Sequence, residues 1–243
     1  MVWKLNSLPK NRKKRATLTA IMQSISQQFN EITVRIFHFN PIMVNTLVLH
    51  DHTKEALIVD PGNCQSYEDA QLKEYLDSHG LTVKKVVNTH PHIDHIAGNP
   101  WCKHTWPNVP LYLHEAGGPI YDKAAAYAYA FGLDVEKMPA IDCTLKEGET
   151  LSFGEQRLQV LYTPGHCDGS ITLYDARNGF LICGDLLFEE SVGRSDLPTG
   201  NGALLVEMIK TKILTLPNDT IIIPGHGELT TIAHEQLYNP FIQ

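Results

Sequence analysis

The sequence predicts an α/β chain of the α+β type, and three observations carry that reading. Apolar runs of strand length recur along the chain: Ile32 to Phe39, Val44 to Leu49, Ala56 to Val59, Val83 to Val87, Leu158 to Leu161, Phe180 to Cys183 and Ile221 to Ile223. A helical period interrupts them between Ser66 and His79. Asn178-Gly179, set between two apolar runs, is a strong two-residue hairpin signal. Four of the runs lead directly into histidine or aspartate beside glycine or proline, so successive strands deliver the same kind of side chain to one rim. Ligands in α/β folds gather at such strand ends.

The elements follow in chain order. Residues 1 to 30 carry six basic residues (Lys4, Lys10, Arg12, Lys13, Lys14, Arg15), no acidic one, and no strand pattern. They are expected to lie outside the folded domain, which is placed at residues 31 to 243. Three readings of this tail stand: a disordered or overlong start with Met22 as alternative initiator, an organellar presequence, or a nucleic-acid-binding tail. Strands are expected from Ile32, with Asp51 to Lys54 turning between the second and third. Ser66 is the expected N-cap of a helix with Tyr67, Ala70, Leu72, Tyr75 and Leu76 mostly on one side, and Gly80 ends it. The strand from Val83 leads into His90, and Leu111 to His114 is a further strand whose histidine reads as structural. The alanine-rich stretch Ala124 to Phe131 predicts a helix ended by Gly132. Its Tyr127 and Phe131 share a face that either packs in the core or walls a substrate pocket. The strands Leu151 to Phe153 and Gln156 to Thr163 precede His166, and the hairpin around Asn178-Gly179 precedes Asp185. A loop to Gly202, a helix to about Leu216 and a last strand with His226 complete the chain.

Composition narrows the function. At 243 residues and 43% hydrophobic the chain is long enough to bury one large core. With a basic tail, the remainder is more acidic than the net charge of −7; such a body is a poor match for nucleic acid. No apolar run approaches a membrane span of about 18 residues, so no membrane partner is expected. Five cysteines (Cys64, Cys102, Cys143, Cys167, Cys183), odd in number and without a CxxC pair, suit a reducing, cytoplasmic setting. Cys167, beside His166, reads as a packed residue rather than a reactive thiol. The sequence carries no signal for an oligomeric state.

The centre of the chain is Thr89-His90-Pro91-His92-Ile93-Asp94-His95. Alone, such a cluster is also what a polar loop capping a helix looks like. Together with His166 in Thr-Pro-Gly-His, Asp185 in Cys-Gly-Asp and His226 in Pro-Gly-His-Gly, it is not. Imidazoles and carboxylates without thiolates suit a catalytic zinc, iron(II) or manganese site rather than a closed structural zinc.

In this order and spacing, His90-x-His92-x-Asp94-His95, His166, Asp185 and His226 resemble the metallo-β-lactamase-fold hydrolases. The resemblance runs from about residue 32 to Gln243, and is closest to glyoxalase II-like proteins without the C-terminal helical domain. It implies a four-layer αββα sandwich holding two divalent metal ions. His90, His92 and His166 would bind one ion, Asp94, His95 and His226 the other, and Asp185 would bridge them. Asp60 would orient a ligating histidine; the alternative is an ordinary turn aspartate. The implied reaction is hydrolysis of a small acyl-thioester, of the hydroxyacylglutathione hydrolase type, by a metal-bridging hydroxide that Asp94 helps to orient. Arg194 matches a position that grips the substrate's glutathione part; its alternative is a loop bridge to Asp196. The sequence departs from glyoxalase II at Gly227-Glu228 and Asp196, where that enzyme has aromatic residues. The enzymatic alternative is an iron-dependent persulfide dioxygenase, which shares nearly all these ligands. A metal-binding or redox-sensing scaffold is the non-enzymatic one.

Overall fold

The computed structural model describes residues 25–128, 132–133 and 135–243. Seven strands lie side by side in chain order: β1 (Ile25–Phe29), β2 (Ile32–Phe39), β3 (Val44–His50), β4 (Glu55–Val59), β5 (Thr82–Val87), β6 (Leu111–His114) and β7 (Cys143–Leu145). From β1 to β4 the neighbours are antiparallel; from β4 to β7 they are parallel. Parallel neighbours need crossovers. These contain α1 (Ser66–Ser78), α2 (Ile93–Ile96), α3 (Asn99–Thr105) and α4 (Gly118–Tyr127).

The second sheet has the order β15-β14-β11-β10-β9-β8. Its strands are β8 (Thr150–Phe153), β9 (Gln156–Tyr162), β10 (Ile171–Asp175), β11 (Phe180–Gly184), β14 (Ile221–Pro224) and β15 (Thr230–Thr231). Only β11 and β14 are parallel. Between them come a small hairpin of β12 (Leu187–Phe188) and β13 (Ser191–Val192), and α5 (Gly202–Met208), which continues as a π-helical turn at Ile209–Ile213. Helix α6 (Ile232–Tyr238) follows β15.

Side-chain alternation along the strands builds the layers. Ile32, Val34 and Ile36 of β2, with Leu47, Leu49, Leu57, Val59 and Val87, face Leu158, Val160, Leu173, Phe180, Ile182 and Ile223 of the second sheet. The opposite positions Phe37, Phe39, Val48, Ile58 and Val86 pack under Leu72, Tyr75 and Leu76 of α1, Ile93 and Ile96 of α2, and Tyr121 and Ala124 of α4. On the far side Leu181, Cys183 and Ile222 meet Leu205, Ile209, Ile213 and Ile232. Three apolar interfaces between four layers make an αββα sandwich, the architecture implied by the ligand pattern.

Several expectations need correction. The folded domain begins before residue 31, because Ile25–Phe29 pairs with β2 as an edge strand. Only one face of such a strand needs an apolar anchor, here Phe29, whose ring lies 4.7 Å from that of Phe180. A Ser/Gln-rich composition therefore conceals it. Gln65, not Ser66, caps α1, through a capping box in which Glu68 reaches back to the Gln65 N–H at 3.1 Å. The alanine-rich helix starts earlier, at Gly118. Tyr127 is exposed and Ala128 packs in the core, while Tyr129 and Phe131 of the expected wall lie outside the described residues. His114 is structural as expected: it stacks on Tyr162 at 4.2 Å. Among the described residues, no helix is long and apolar enough to cross a membrane.

Candidate metal centre

All seven ligand-type residues converge on one end of the sandwich. The β5 strand ends at Val87, and the turn into α2 presents His90, His92, Asp94 and His95. Asp185 follows β11, His226 follows β14, and His166 lies between β9 and β10. The two sheets are joined there by a bridge between Val44 and His226 and by Asn45, whose amide donates to Pro224 O and Gly227 O at 3.0 Å. Asn40 ties the same corner to α2 by donating to Asp94 O at 2.9 Å.

Two trios of donors with mutual distances inside 4.8 Å stand side by side, His90, His92 and His166, and Asp94, His95 and His226; a third, Asp60, His90 and His95, overlaps both. In the first, the three rings stand nearly perpendicular to one another, at 84°, 84° and 87°. His92 Nδ1 lies 2.8 Å from His166 Nε2. In the second, His226 Nε2 lies 3.2 Å from His95 Nε2 and 3.1 Å from Asp94 Oδ2. The Asp185 carboxylate stands between the trios. Its Oδ2 is 3.7 Å from both His166 Nε2 and His226 Nε2, and its Oδ1 is 3.2 Å from His95 Nε2. Gly225 makes room for it: a Cβ there would sit 2.2 Å from Asp185 Oδ1.

Asp60, which completes the overlapping group, is buried and its oxygens are engaged by hydrogen bonds. It accepts from Thr89 N–H and Thr89 Oγ1–H, both at 2.6 Å, and from His95 Nδ1–H at 2.8 Å. A hydroxyl has one proton to give. Thr89 gives it to Asp60, so its oxygen accepts from His90 Nδ1–H at 3.1 Å. One carboxylate thus assigns the tautomer of two histidines, His95 directly and His90 through Thr89. A third, His166, gives its Nδ1–H to Arg194 O at 2.7 Å. These hydrogen-bond assignments leave Nε2 as the lone-pair nitrogen of all three rings. Thr89 escaped the sequence reading, although it stands next to His90; only its geometry shows the role.

Electrostatics favour a cation. Burial, and then His95, push His90 well below its usual pKa; burial and His166 push His92 down to about 4. Burial lowers His166 as well. These imidazoles are held neutral, the form that ligates. Burial also works against a charged His95, but the carboxylates of Asp185, Asp94 and Asp60 outweigh it and drive its pKa well above the usual value. Asp185 is held well below the carboxylate range: burial opposes, and His95, His90 and His226 prevail. A site that draws a proton onto a fully buried imidazole demands positive charge, which divalent ions would supply at the same place. His90 Nε2 is moreover buried with no hydrogen-bond partner among the described residues. Nitrogen and oxygen donors in two adjoining trios with a shared carboxylate fit two divalent cations.

Arg194 does not point its charge at the trios. Its Nε and Nη2 form a two-pronged bond to Asp196 at 2.8 and 2.9 Å on the exposed loop. Cys167 is fully buried, its thiol raised to about 12 by burial, and is a packing residue.

The sequence profile of the Metallo-beta-lactamase superfamily matches residues 39–226, the span from the end of β2 to the last histidine of the centre. The hydroxyacylglutathione hydrolase GloC of Haemophilus influenzae is 31% identical over 217 residues, covering 87% of this chain and 98% of its own length. Among solved structures, the BLEG-1 B3 metallo-beta-lactamase superposes with a TM-score of 0.79 at 34% identity, over 86% of this chain and 99% of that one. TTHA1623, solved in a di-iron-bound form, gives 0.76 at 33% identity, over 85% and 98%. Fold, donor set and relatives agree: the chain belongs to the metallo-β-lactamase superfamily and is a metallo-hydrolase of that superfamily.

Proposed function

We propose that this metallo-hydrolase cleaves a small acyl-thioester, releasing a carboxylic acid and a free thiol. The observation that carries the reading is that all three carboxylates at the centre are committed: Asp60 to Thr89 and His95, Asp94 to His226, and Asp185 to the histidines of both trios. None is left to protonate a leaving group. An amide or β-lactam nitrogen needs that proton; a thiol, with a pKa of about 8.5, leaves as the thiolate. The similarity to a hydroxyacylglutathione hydrolase supports the same class.

In this reading His90, His92 and His166 would hold one divalent ion and Asp94, His95 and His226 the second, with the Asp185 carboxylate shared between them. Zinc is the expected metal; manganese and iron suit the same donors, and a relative carries two irons. When bound, the ions supply Lewis acidity and a water acidic enough to ionise near neutral pH. The protein does the rest. Asp60 and Thr89 keep the Nε2 lone pairs of His95 and His90 directed inward. Asp94 is held ionised: burial raises its carboxyl pKa, but His95 and the bond from His226 lower it further. It therefore accepts a hydrogen bond and orients an attacking water. Arg194, on an exposed loop, exchanges Asp196 for a substrate carboxylate at little cost, because exposed ion pairs contribute little.

The deciding experiment loads the protein with zinc or manganese and presents S-lactoylglutathione and other acyl-thioesters without oxygen, following thiol release. Turnover under these conditions is expected. Activity confined to the iron form, with oxygen uptake on a persulfide, would replace the hydrolase with a dioxygenase. Stoichiometric metal binding without turnover of any ester, thioester or persulfide would leave a binding scaffold.

A further inference from the structure

We propose that Glu235 and Asn239, at the C-terminal end of the chain, are positioning residues for His166, acting through the main chain of residues 190–194. The proposal rests on the two-ion reading of the centre. Glu235 lies on α6 and is fully buried. Its carboxylate is met by dipoles: Thr230 Oγ1–H at 2.6 Å, Asn239 Nδ2–H at 2.7 Å and the Glu190 N–H at 3.1 Å. Asn239, also fully buried, gives a second bond from Nδ2 to Ser191 O at 3.0 Å. The main chain of two consecutive residues, at Glu190 N–H and Ser191 O, is thereby clamped to α6 and its C-cap.

Three residues further on, Arg194 O accepts the His166 Nδ1–H. The segment between leaves little slack. Gly193 N–H bonds Leu186 O at 3.2 Å, and a Cβ on Gly193 would lie 1.8 Å from Asp185 O and 3.3 Å from His166 Nδ1. The intervening hairpin pairs only Leu187 with Val192 and Phe188 with Ser191. Two-stranded hairpins are marginal when unsupported, so this one needs an anchor outside itself to hold a carbonyl in place.

Burying a carboxylate is expensive unless every lone pair is engaged. Helix α6 is already docked through Ile232, which packs with Leu205, Ile209 and Ile222. Attachment of the helix does not require a charge at position 235; fixing a backbone segment with an acceptor for both Thr230 and Glu190 does. The clamp bears on one trio through the hydrogen bond to His166 and reaches the other only through Phe188, whose ring lies 6.4 Å from that of His226, so its effect on the two metal sites is unequal.

The test is zinc titration of the full chain against a chromophoric competitor chelator, resolving two affinities, for wild type, Glu235→Gln and Ile232→Val. Glu235→Gln keeps the shape but loses one acceptor oxygen. It is expected to weaken one site about ten-fold, the lower end of the loss seen when a ligand's supporting bond is removed, and to weaken the other clearly less. Ile232→Val, which loosens the same helix without touching the clamp, is expected to lower Tm while leaving both affinities as in wild type. A second readout is the His166 Nδ1–H proton in NMR spectra of metal-free protein, assigned by its loss in His166→Gln; faster exchange is expected in Glu235→Gln only. Wild-type affinity at both sites in Glu235→Gln, or the same unequal loss in Ile232→Val, overturns the proposal. If wild type binds fewer than two ions, the two-ion reading fails instead, and the His166 proton still decides whether the clamp acts.

Discussion

Asp185 stands between the two trios, its Oδ2 equidistant, at 3.7 Å, from a histidine of each. Asp185→Asn keeps the shape and removes the charge. It is expected to bind fewer than two equivalents of zinc and to lower kcat by orders of magnitude; full metal content and near-normal turnover in a folded variant would sink the bridging role. Arg194 is tested from both sides of its ion pair. Arg194→Ala is expected to raise KM for anionic thioesters roughly ten-fold, the loss of one charge-assisted contact, with less effect on neutral esters. Asp196→Ala is expected to lower KM for the same anionic substrates by freeing the guanidinium. Equal effects on charged and neutral substrates would make the pair a loop brace. The seven donors were legible because each follows an apolar run and each sits beside Gly, Pro or another donor. Thr89, Asn45 and Glu235 were not. Their roles come from partners up to 182 residues away, and nothing in a local pattern separates them from other polar residues.

At the scale of elements, the strand that composition concealed gives the clearest test. Removing residues before Met22 leaves every described element intact, and unchanged melting and metal content are expected. A chain beginning at Ile32 loses β1 and the buried Phe29 ring against Phe180. Deleting a buried aromatic side chain costs about 3–5 kcal/mol, so a marked fall in Tm is expected; equal Tm for the two truncations would show β1 to be dispensable. Helix α1 makes a similar point about legibility. Of its expected apolar face Leu72, Tyr75 and Leu76 are buried, but Tyr67 and Ala70 are exposed, and the cap moved by one residue because Gln65 and Glu68 satisfy each other's backbone groups reciprocally. Patterns of burial are periodic and readable, whereas ends are decided by single hydrogen bonds.

For the molecule as a whole, the strand and helix runs were readable from their own periods, while the four layers came from the resemblance carried by the ligand pattern. The latch at the end remote from the centre was legible in neither. There Asp51, in the β3–β4 turn, accepts from Gln156 Nε2 at 2.9 Å and Glu155 N at 2.8 Å, and Asn178 joins Gln156 to Asp175, tying the two sheets together. Burial raises the Asp51 carboxyl, but bonds from Thr53, Gln156 and Glu155 outweigh it and hold the pKa at about 2, against a usual 3.8. A depressed carboxylate stabilises fully above the unfolded pKa and progressively less as pH falls through the folded one. Tm is therefore expected to drop between pH 4 and 2 more steeply in wild type than in Asp51→Asn; parallel acid limbs would exclude the latch. At the opposite end the ligand-type residues pair over 74 residues between His92 and His166 and over 131 between His95 and His226, joining a loop of one sheet to loops of the other. An ion held there would rivet the two halves of the chain, and its free concentration would enter the folding equilibrium, adding about 2.7 kcal/mol per site at a hundred times Kd. Melting temperature is expected to climb with free zinc and to fall on dialysis against a chelator. In a cell starved of the metal, such a protein would not merely idle: its unfolded fraction would rise, and proteases would clear it.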